Sequence, residues 1–316
     1  MQVKVGNVMS PPIPVTCGAV QGSLLGVLDH NVVLESMDDD FSQQANKYVD
    51  DMTLDERTDK SAPAVVDFDD TQGKERYTFR AIKTQRTLQK LDDKCEIKGF
   101  CLNEKKTQLL SISTGRAATR SWVTTNDGGT IYSSPNCKIL GFIFSNKPNA
   151  ELQIQNLIRR ANAHTFVLRY YSKFMEGKDL TKLYSLLIQS VLEYSLVTYG
   201  PLLSKAQSNR LEQVQKNCLK IMFGYGKAYT ELLEASGMKT LKIRRDRAIL
   251  KFANNTVKNP NYFHWFPLNT DRTSSRTGGK KYKESFPRTQ RLYNSPLYTF
   301  LRLLNNTPSE PPLDIE

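Results

Sequence analysis

Leu180, Leu183, Tyr184, Leu187, Ile188, Val191 and Leu192 recur at i, i+3, i+4 spacing, the period of a helix with one apolar face. Ile154, Leu157, Ile158, Ala161, Thr165 and Leu168 keep the same period before them. Leu211, Val214, Cys218 and Ile221 keep it after them, with Gly224 as the stop. A fourth helix is expected over residues 241–257, with Ala248, Ile249 and Phe252 inward. A 3.6-residue period cannot also be the two-residue period of a strand, so residues 149–265 must pack as helices. Residues 1–148 read differently. Residues 3–8 alternate as a strand until Pro11, Pro12 and Pro14 break the chain, and residues 30–37 suit one short helix. Residues 46–49 and 52–54 read as strands around Asp50–Asp51. Ile82, Leu88, Leu91 and Cys95 mark a helix that Gly99 would close. Residues 107–113 and 138–145 are expected as strands, the second buried. Residues 56–78 are a polar surface loop, and residues 266–291 a basic linker. Ser295 then caps a helix with Pro296 at its first position, running to about Leu304. The expected organisation is α+β, in three parts: 1–148, 149–265 and 266–316.

Charge divides the chain at the same place. Residues 1–150 carry 18 Lys+Arg against 19 Asp+Glu, whereas residues 151–316 carry 26 against 13. A near-neutral module joined to one of net charge +13 points to a polyanionic partner for the second. A mean hydropathy of −0.48 and the lack of a long apolar run argue against a membrane partner. The first residues, MQVKVGNVMSPPIP, hold no apolar core of a secretory leader. Five scattered cysteines, with no paired Cys or His spacing, indicate neither a disulfide framework nor zinc. The expectation is a soluble chain of a reducing compartment, nuclear or cytoplasmic. His30, His164 and His264 offer no ligand spacing.

The feature that carries chemistry is the acidic turn. Adjacent aspartates at the tip of a β-ribbon present hard oxygen ligands suited to Mg²⁺ or Mn²⁺, ions that keep waters and substrate phosphates in their shells. The turn has company. AVQGSLLG at residues 19–26, then YVDD at 48–51, resemble motifs B and C of reverse transcriptases. KGFCLNEKKTQ at 98–108 resembles their motif D, and KILGF at 138–142 the primer-grip hairpin, motif E. VLEYS at 191–195 and RLEQVQK at 210–216 are similar to thumb segments of non-LTR (LINE-like) retrotransposon polymerases. RLYNSP at 291–296 is similar to the ends of such reading frames. The blocks stand in the family's order across most of the chain.

The resemblance implies a partial right-hand polymerase palm with antiparallel β-hairpins, followed by an all-α thumb. It implies an RNA-directed DNA polymerase that adds deoxynucleotides to a primer 3′-hydroxyl through two Mg²⁺ (or Mn²⁺) ions. Asp50 would be a metal ligand and Asp51 its support, with Tyr48 beside the primer terminus or incoming nucleotide. Gln21 and Gly22 would line the nucleotide and template side. Lys106 would be the general acid to departing pyrophosphate, since a lysine in water is protonated at neutral pH. Leu140 and Gly141 would support the primer end. In the thumb, Arg159, Arg160, Arg169, Lys173, Arg244, Arg245, Arg247 and Lys251 would follow the nucleic-acid backbone through its phosphates, with Tyr170 and Tyr171 among them. The implied partners are an RNA template, a DNA primer and deoxynucleoside triphosphates.

The sequence departs from the family in two respects. Val20 stands where motif B often has proline. The third palm aspartate, expected on a strand before motif B, has no counterpart in residues 1–16, and Asp38, Asp39 and Asp40 fall in the helix-to-hairpin connection. Fingers and the first palm strands would then lie upstream of Met1. An apurinic-type endonuclease and a Cys/His knuckle are likewise not found. The expectation is a polymerase inactive on its own, the alternative being a non-catalytic remnant that binds nucleic acid through its basic thumb.

Overall fold

A computed structural model describes residues 4–6, 8–11, 45–48, 51–55, 79–80, 82–112, 121–147, 149–269, 281–284 and 287–306. The chain is α+β and divides into two compact units, Met1–Ser134 and Pro135–Glu316. The unit boundary groups the hairpin of residues 136–145 with the helices that follow it. The expected helix over 30–37 and the loop over 56–78 lie outside the described residues.

In the first unit, β1 (Lys4–Val5) and β2 (Val8–Met9) form a tight antiparallel pair, so residues 3–8 turn at Gly6 instead of running as one strand. β3 (Ala45–Tyr48) and β4 (Asp51–Leu54) pair antiparallel in the register Ala45↔Leu54 to Tyr48↔Asp51. β5 (Phe79–Arg80) leads to α1 (Ile82–Ile97), whose chain reverses at Gly99, φ +73°, a left-handed position that glycine adopts without strain. β6 is only Leu109–Leu110, shorter than the strand expected over 107–113. β7 (Ser121–Thr124) and β8 (Thr130–Ser134) complete a sheet of order β5-β7-β8-β6, parallel at both edges and antiparallel in the middle.

α1 has two jobs. Leu88 packs on Val123 and Ile131 of that sheet, whereas Leu91 and Cys95 pack on Met52 and Leu54 of β4. The acidic hairpin is thereby mounted on the same helix as the sheet. Gln85, buried in α1, makes its amide a further ladder partner: its Nε2 donates to the Thr124 carbonyl at 2.6 Å, and its Oε1 accepts from the Thr124 N–H at 2.6 Å. The β7–β8 turn is fixed by Asp92, which accepts from the Asn126 N–H at 2.8 Å, and by Asp93, which accepts from its side-chain amide at 2.7 Å.

The second unit opens with β9 (Asn136–Ile139) and β10 (Phe142–Ser145), a hairpin where the hydropathy reads as one buried strand. α2 (Glu151–Tyr171), α3 (Gly177–Tyr184), a π-helical turn (Ser185–Gln189) and α4 (Ser190–Glu193) follow, then α5 (Leu196–Tyr199) and a 3₁₀ turn (Gly200–Leu202). The apolar period of residues 180–192 therefore continues through a wider turn. α6 (Lys205–Phe223) starts from a capping box in which Ser204 and Gln207 exchange hydrogen bonds, and it ends at Gly224. α7 (Tyr229–Ser236) and α8 (Leu241–Val257) complete the bundle. Ile154, Leu157, Leu168, Tyr184, Ile188 and Cys218 are all fully buried in its core, joined by Phe142 of the hairpin.

A second cluster joins described residues of the 266–291 stretch to the last helices. Phe266 and Tyr282 are buried against Ile249, Ala253, Phe300 and Leu301, and Leu268 bridges to Tyr282. Asn305 holds this return by accepting from the Tyr282 N–H at 2.9 Å and donating to its carbonyl at 3.1 Å. A short α9 (Gln290–Tyr293) precedes α10 (Pro296–Asn306), the helix expected from Ser295 and Pro296. Phe252, expected inward, is 47% exposed, because Ile249 and Ala253 take the inner face of α8.

Candidate nucleic-acid interface

Tyr48 and Asp51 are the last cross-strand pair of the β3–β4 ribbon. Gln21, Gly22 and Asp50 lie outside the described residues, and Tyr48 and Asp51 are located through their backbone. Two adjacent carboxylates are a hard-oxygen donor set that fits one Mg²⁺ with water and phosphate completing its shell, and does not by itself hold two ions. Among the described residues no three His, Cys, Asp or Glu are grouped to hold a metal.

Lys106 ends a tight turn whose first residue, Asn103, accepts from the Lys106 N–H through both its side chain (3.2 Å) and its carbonyl (3.1 Å). The lysine side chain is exposed. The turn borders an open concavity lined by Leu102, Glu104, Lys105, Asp127 and Gly129, which Lys106 itself does not line.

Leu140 and Gly141 form the two-residue turn of the β9–β10 hairpin, both with left-handed backbone (φ 47° and 79°). This is the turn that matches strand twist, and it strains any residue with a Cβ. The Tyr194 hydroxyl donates to the Leu140 carbonyl. Below the turn, the Ile143 N–H donates to the buried Oε1 of Gln153 on α2 at 3.1 Å. The turn is held by the helices beneath it. Tyr194 is the residue that the sequence alone passes over: it sits inside VLEYS, next to Ser195 at φ 55°, where α4 breaks from α5.

The basic residues separate into two groups. Arg244 clamps Glu193 of the same VLEYS block, with Nη2 donating to Oε2 at 2.9 Å and Nε to Oε1, and this carboxylate raises the Arg244 pKa further. Arg245, expected on a phosphate, is 6% exposed and donates to Ser208 Oγ at 2.8 Å; it faces inward because α8 turns its Leu241, Arg245 and Ile249 side to the bundle. Arg159, Arg160, Arg169, Lys173, Arg247 and Lys251 are exposed, and among the described residues none of them is in an ion pair. Exposed cations without a carboxylate partner are the groups free to meet phosphate.

The RLEQVQK block is structural. Arg210 donates to Glu151 at 2.7 Å, and with Gln207 and Gln155 it lowers the Glu151 pKa to about 2. Gln215, fully buried, accepts from the Tyr184 hydroxyl at 3.0 Å, and donates to the Tyr229 hydroxyl at 3.0 Å and to the Lys239 carbonyl at 3.1 Å. Burial pushes both tyrosines well above the usual phenol range, and pushes the Cys218 thiol up to about 11. These groups lock helices together and stay neutral. No helix among the described residues is long and apolar enough to cross a membrane. Comparison of the whole chain with protein-family models, curated proteins and solved structures finds no match in any of the three.

Proposed function

We propose that this chain carries the motif B-to-E palm and the helical thumb of a LINE-like reverse transcriptase, and that its thumb holds nucleic acid through the exposed cations of α2, of the turn after it and of α8. The observation that carries this reading is the division of labour among basic side chains. Arg210 and Arg244 are paired with Glu151 and Glu193 and Arg245 is buried, whereas Arg159, Arg160, Arg169, Lys173, Arg247 and Lys251 face solvent with no acidic partner among the described residues. The order of the sequence blocks, from YVDD through KILGF to RLEQVQK, supports the polymerase identity.

Asp50 and Asp51 would hold Mg²⁺ (or Mn²⁺), and a bound ion there supplies Lewis-acid polarisation of phosphate oxygens. Lys106 would offer a proton to the leaving group, Gln21, Gly22 and Tyr48 would border the nucleotide, and the Leu140–Gly141 turn would support the primer end. Two-metal transfer asks for a third carboxylate, and residues 1–28 contain none. The second reading is binding without extension.

Primer extension on an RNA template with Mg²⁺, beside an Asp50→Ala/Asp51→Ala variant, separates the two. Binding of the hybrid without extension is expected. Extension that the variant loses would show that another carboxylate completes the site. Absence of binding would overturn the proposal for the thumb.

A further inference from the structure

The end of α2 and the turn that follows it, residues 172–175, invert the usual arrangement of apolar side chains. The aliphatic residues go inward: Leu168 is fully buried, Val167 and Met175 are half-buried, and Thr165 touches Cys218. The aromatic residues go outward: Phe166 is 74% exposed, Phe174 72%, Tyr170 53%, and Tyr171 is also exposed. Phe166 and Tyr170 stand at i, i+4 on one face of α2, about 6 Å apart along its axis, and Phe174 follows in the turn after Tyr171. The Tyr170 ring lies 5.6 Å from that of Phe174 and 5.3 Å from that of Tyr171, the latter edge-to-face. Arg159 and Arg169 fall on the same side of α2, at i−7 and i+3 from Phe166, and Lys173 lies in the turn beside Phe174. Residues 152–175 contain no Asp or Glu at all.

From this face we infer a binding track for an unpaired nucleic-acid strand, its bases stacking on Phe166, Tyr170 and Phe174 and its phosphates meeting Arg159, Arg169 and Lys173. The inference rests on the thumb reading above and adds to it a single-stranded ligand distinct from the duplex. Charge and ring chemistry together select this occupant. A surface covered by another protein needs apolar area of any shape, and α2 has sent its aliphatic side chains elsewhere; a base needs a π-face, with cations within reach of its phosphate. An extended strand with splayed bases can present its bases to successive rings, which a paired duplex cannot.

The test uses the full chain and fluorescence anisotropy with two probes, a mixed-sequence unstructured 20-nucleotide RNA and an RNA–DNA hybrid of the same length. Phe166→Ala/Phe174→Ala is expected to weaken single-strand binding at least about 25-fold, from about fivefold or more per lost stacking ring. Hybrid binding should stay within about twofold, because it depends on phosphate contacts. Phe166→Leu/Phe174→Leu, which keeps apolar area and removes the π-face, should behave like the alanine variant. Single-strand affinity unchanged in the alanine variant, or restored by leucine, overturns the inference. So does a parent dimer that the alanine variant converts to monomer in sedimentation equilibrium, since a second copy would then be the occupant. Hybrid binding without single-strand binding by the parent defeats the track and leaves the thumb reading standing; loss of both defeats both.

Discussion

Tyr194 shows how much one hydroxyl can decide. It donates to the carbonyl of Leu140, a residue held at φ 47°, and so fixes the turn that the polymerase reading assigns to the primer end. Tyr194→Phe keeps the ring and removes this bond. It should lower stability by about 1 kcal/mol, and should broaden or shift the Leu140 and Gly141 amide resonances while leaving the α6 core unchanged; unaltered turn resonances would show that the hydroxyl does no positioning. Glu151 gives a pH signature. Arg210, then Gln207 and Gln155, hold its folded-state pKa near 2 against an ordinary 4.5. A lowered value stabilises the fold above the unfolded pKa, and the contribution fades as pH falls from about 4.5 through about 2. Glu151→Gln should therefore flatten the decline of Tm with pH over that window, and an identical acid limb in both proteins would contradict the assignment. Cys218 is buried with its thiol raised to about 11, whereas Cys101 is exposed. Iodoacetamide at neutral pH should label Cys101 and spare Cys218 until the bundle unfolds.

At the scale of elements, the helices were legible because each carries its own period. α2, α6 and α8 fall where Ile154–Leu168, Leu211–Ile221 and residues 241–257 predict them. What the period could not show is how partners change a face. Residues 138–145 read as one buried strand because Ile139, Phe142 and Phe144 are apolar, yet Leu140–Gly141 reverses the chain. Phe252 fits the inner spacing of α8, but Ile249 and Ala253 fill that side. Residues 266–291 look like a linker by composition, and the tie from Tyr282 to Asn305 spans more than twenty positions, which no local pattern displays. The acidic hairpin was legible as two strands; its mounting on α1 through Met52 and Leu54 was not. Gln215 was equally silent, a polar residue inside an apolar period. Gln215→Leu strands the buried Tyr184 hydroxyl and the Lys239 carbonyl and should cost about 1–3 kcal/mol or more. Adding Tyr184→Phe should cost less than the sum of the two single changes, because one network is being removed twice; strict additivity in chemical denaturation would argue that the bonds are independent.

For the whole molecule, charge is the organising quantity. The excess of Lys and Arg over Asp and Glu lies beyond residue 150, and the fold consumes part of it in Glu151–Arg210, Glu193–Arg244 and Ser208–Arg245 while leaving cations exposed on α2 and α8. Sequence alone assigned Arg244 and Arg245 to phosphate with the rest, because a basic helix does not reveal which of its faces packs. The most direct test is the salt dependence of affinity for an RNA–DNA hybrid. With about five phosphates neutralised, the log–log slope should be roughly −4 to −5. Arg159→Gln/Arg160→Gln/Arg247→Gln/Lys251→Gln should reduce its magnitude by about 3 or more, while Arg245→Gln should lower thermal stability and leave the slope of the folded protein unchanged. A slope near zero in the parent, or the same slope after the four exposed cations are removed, would contradict the account.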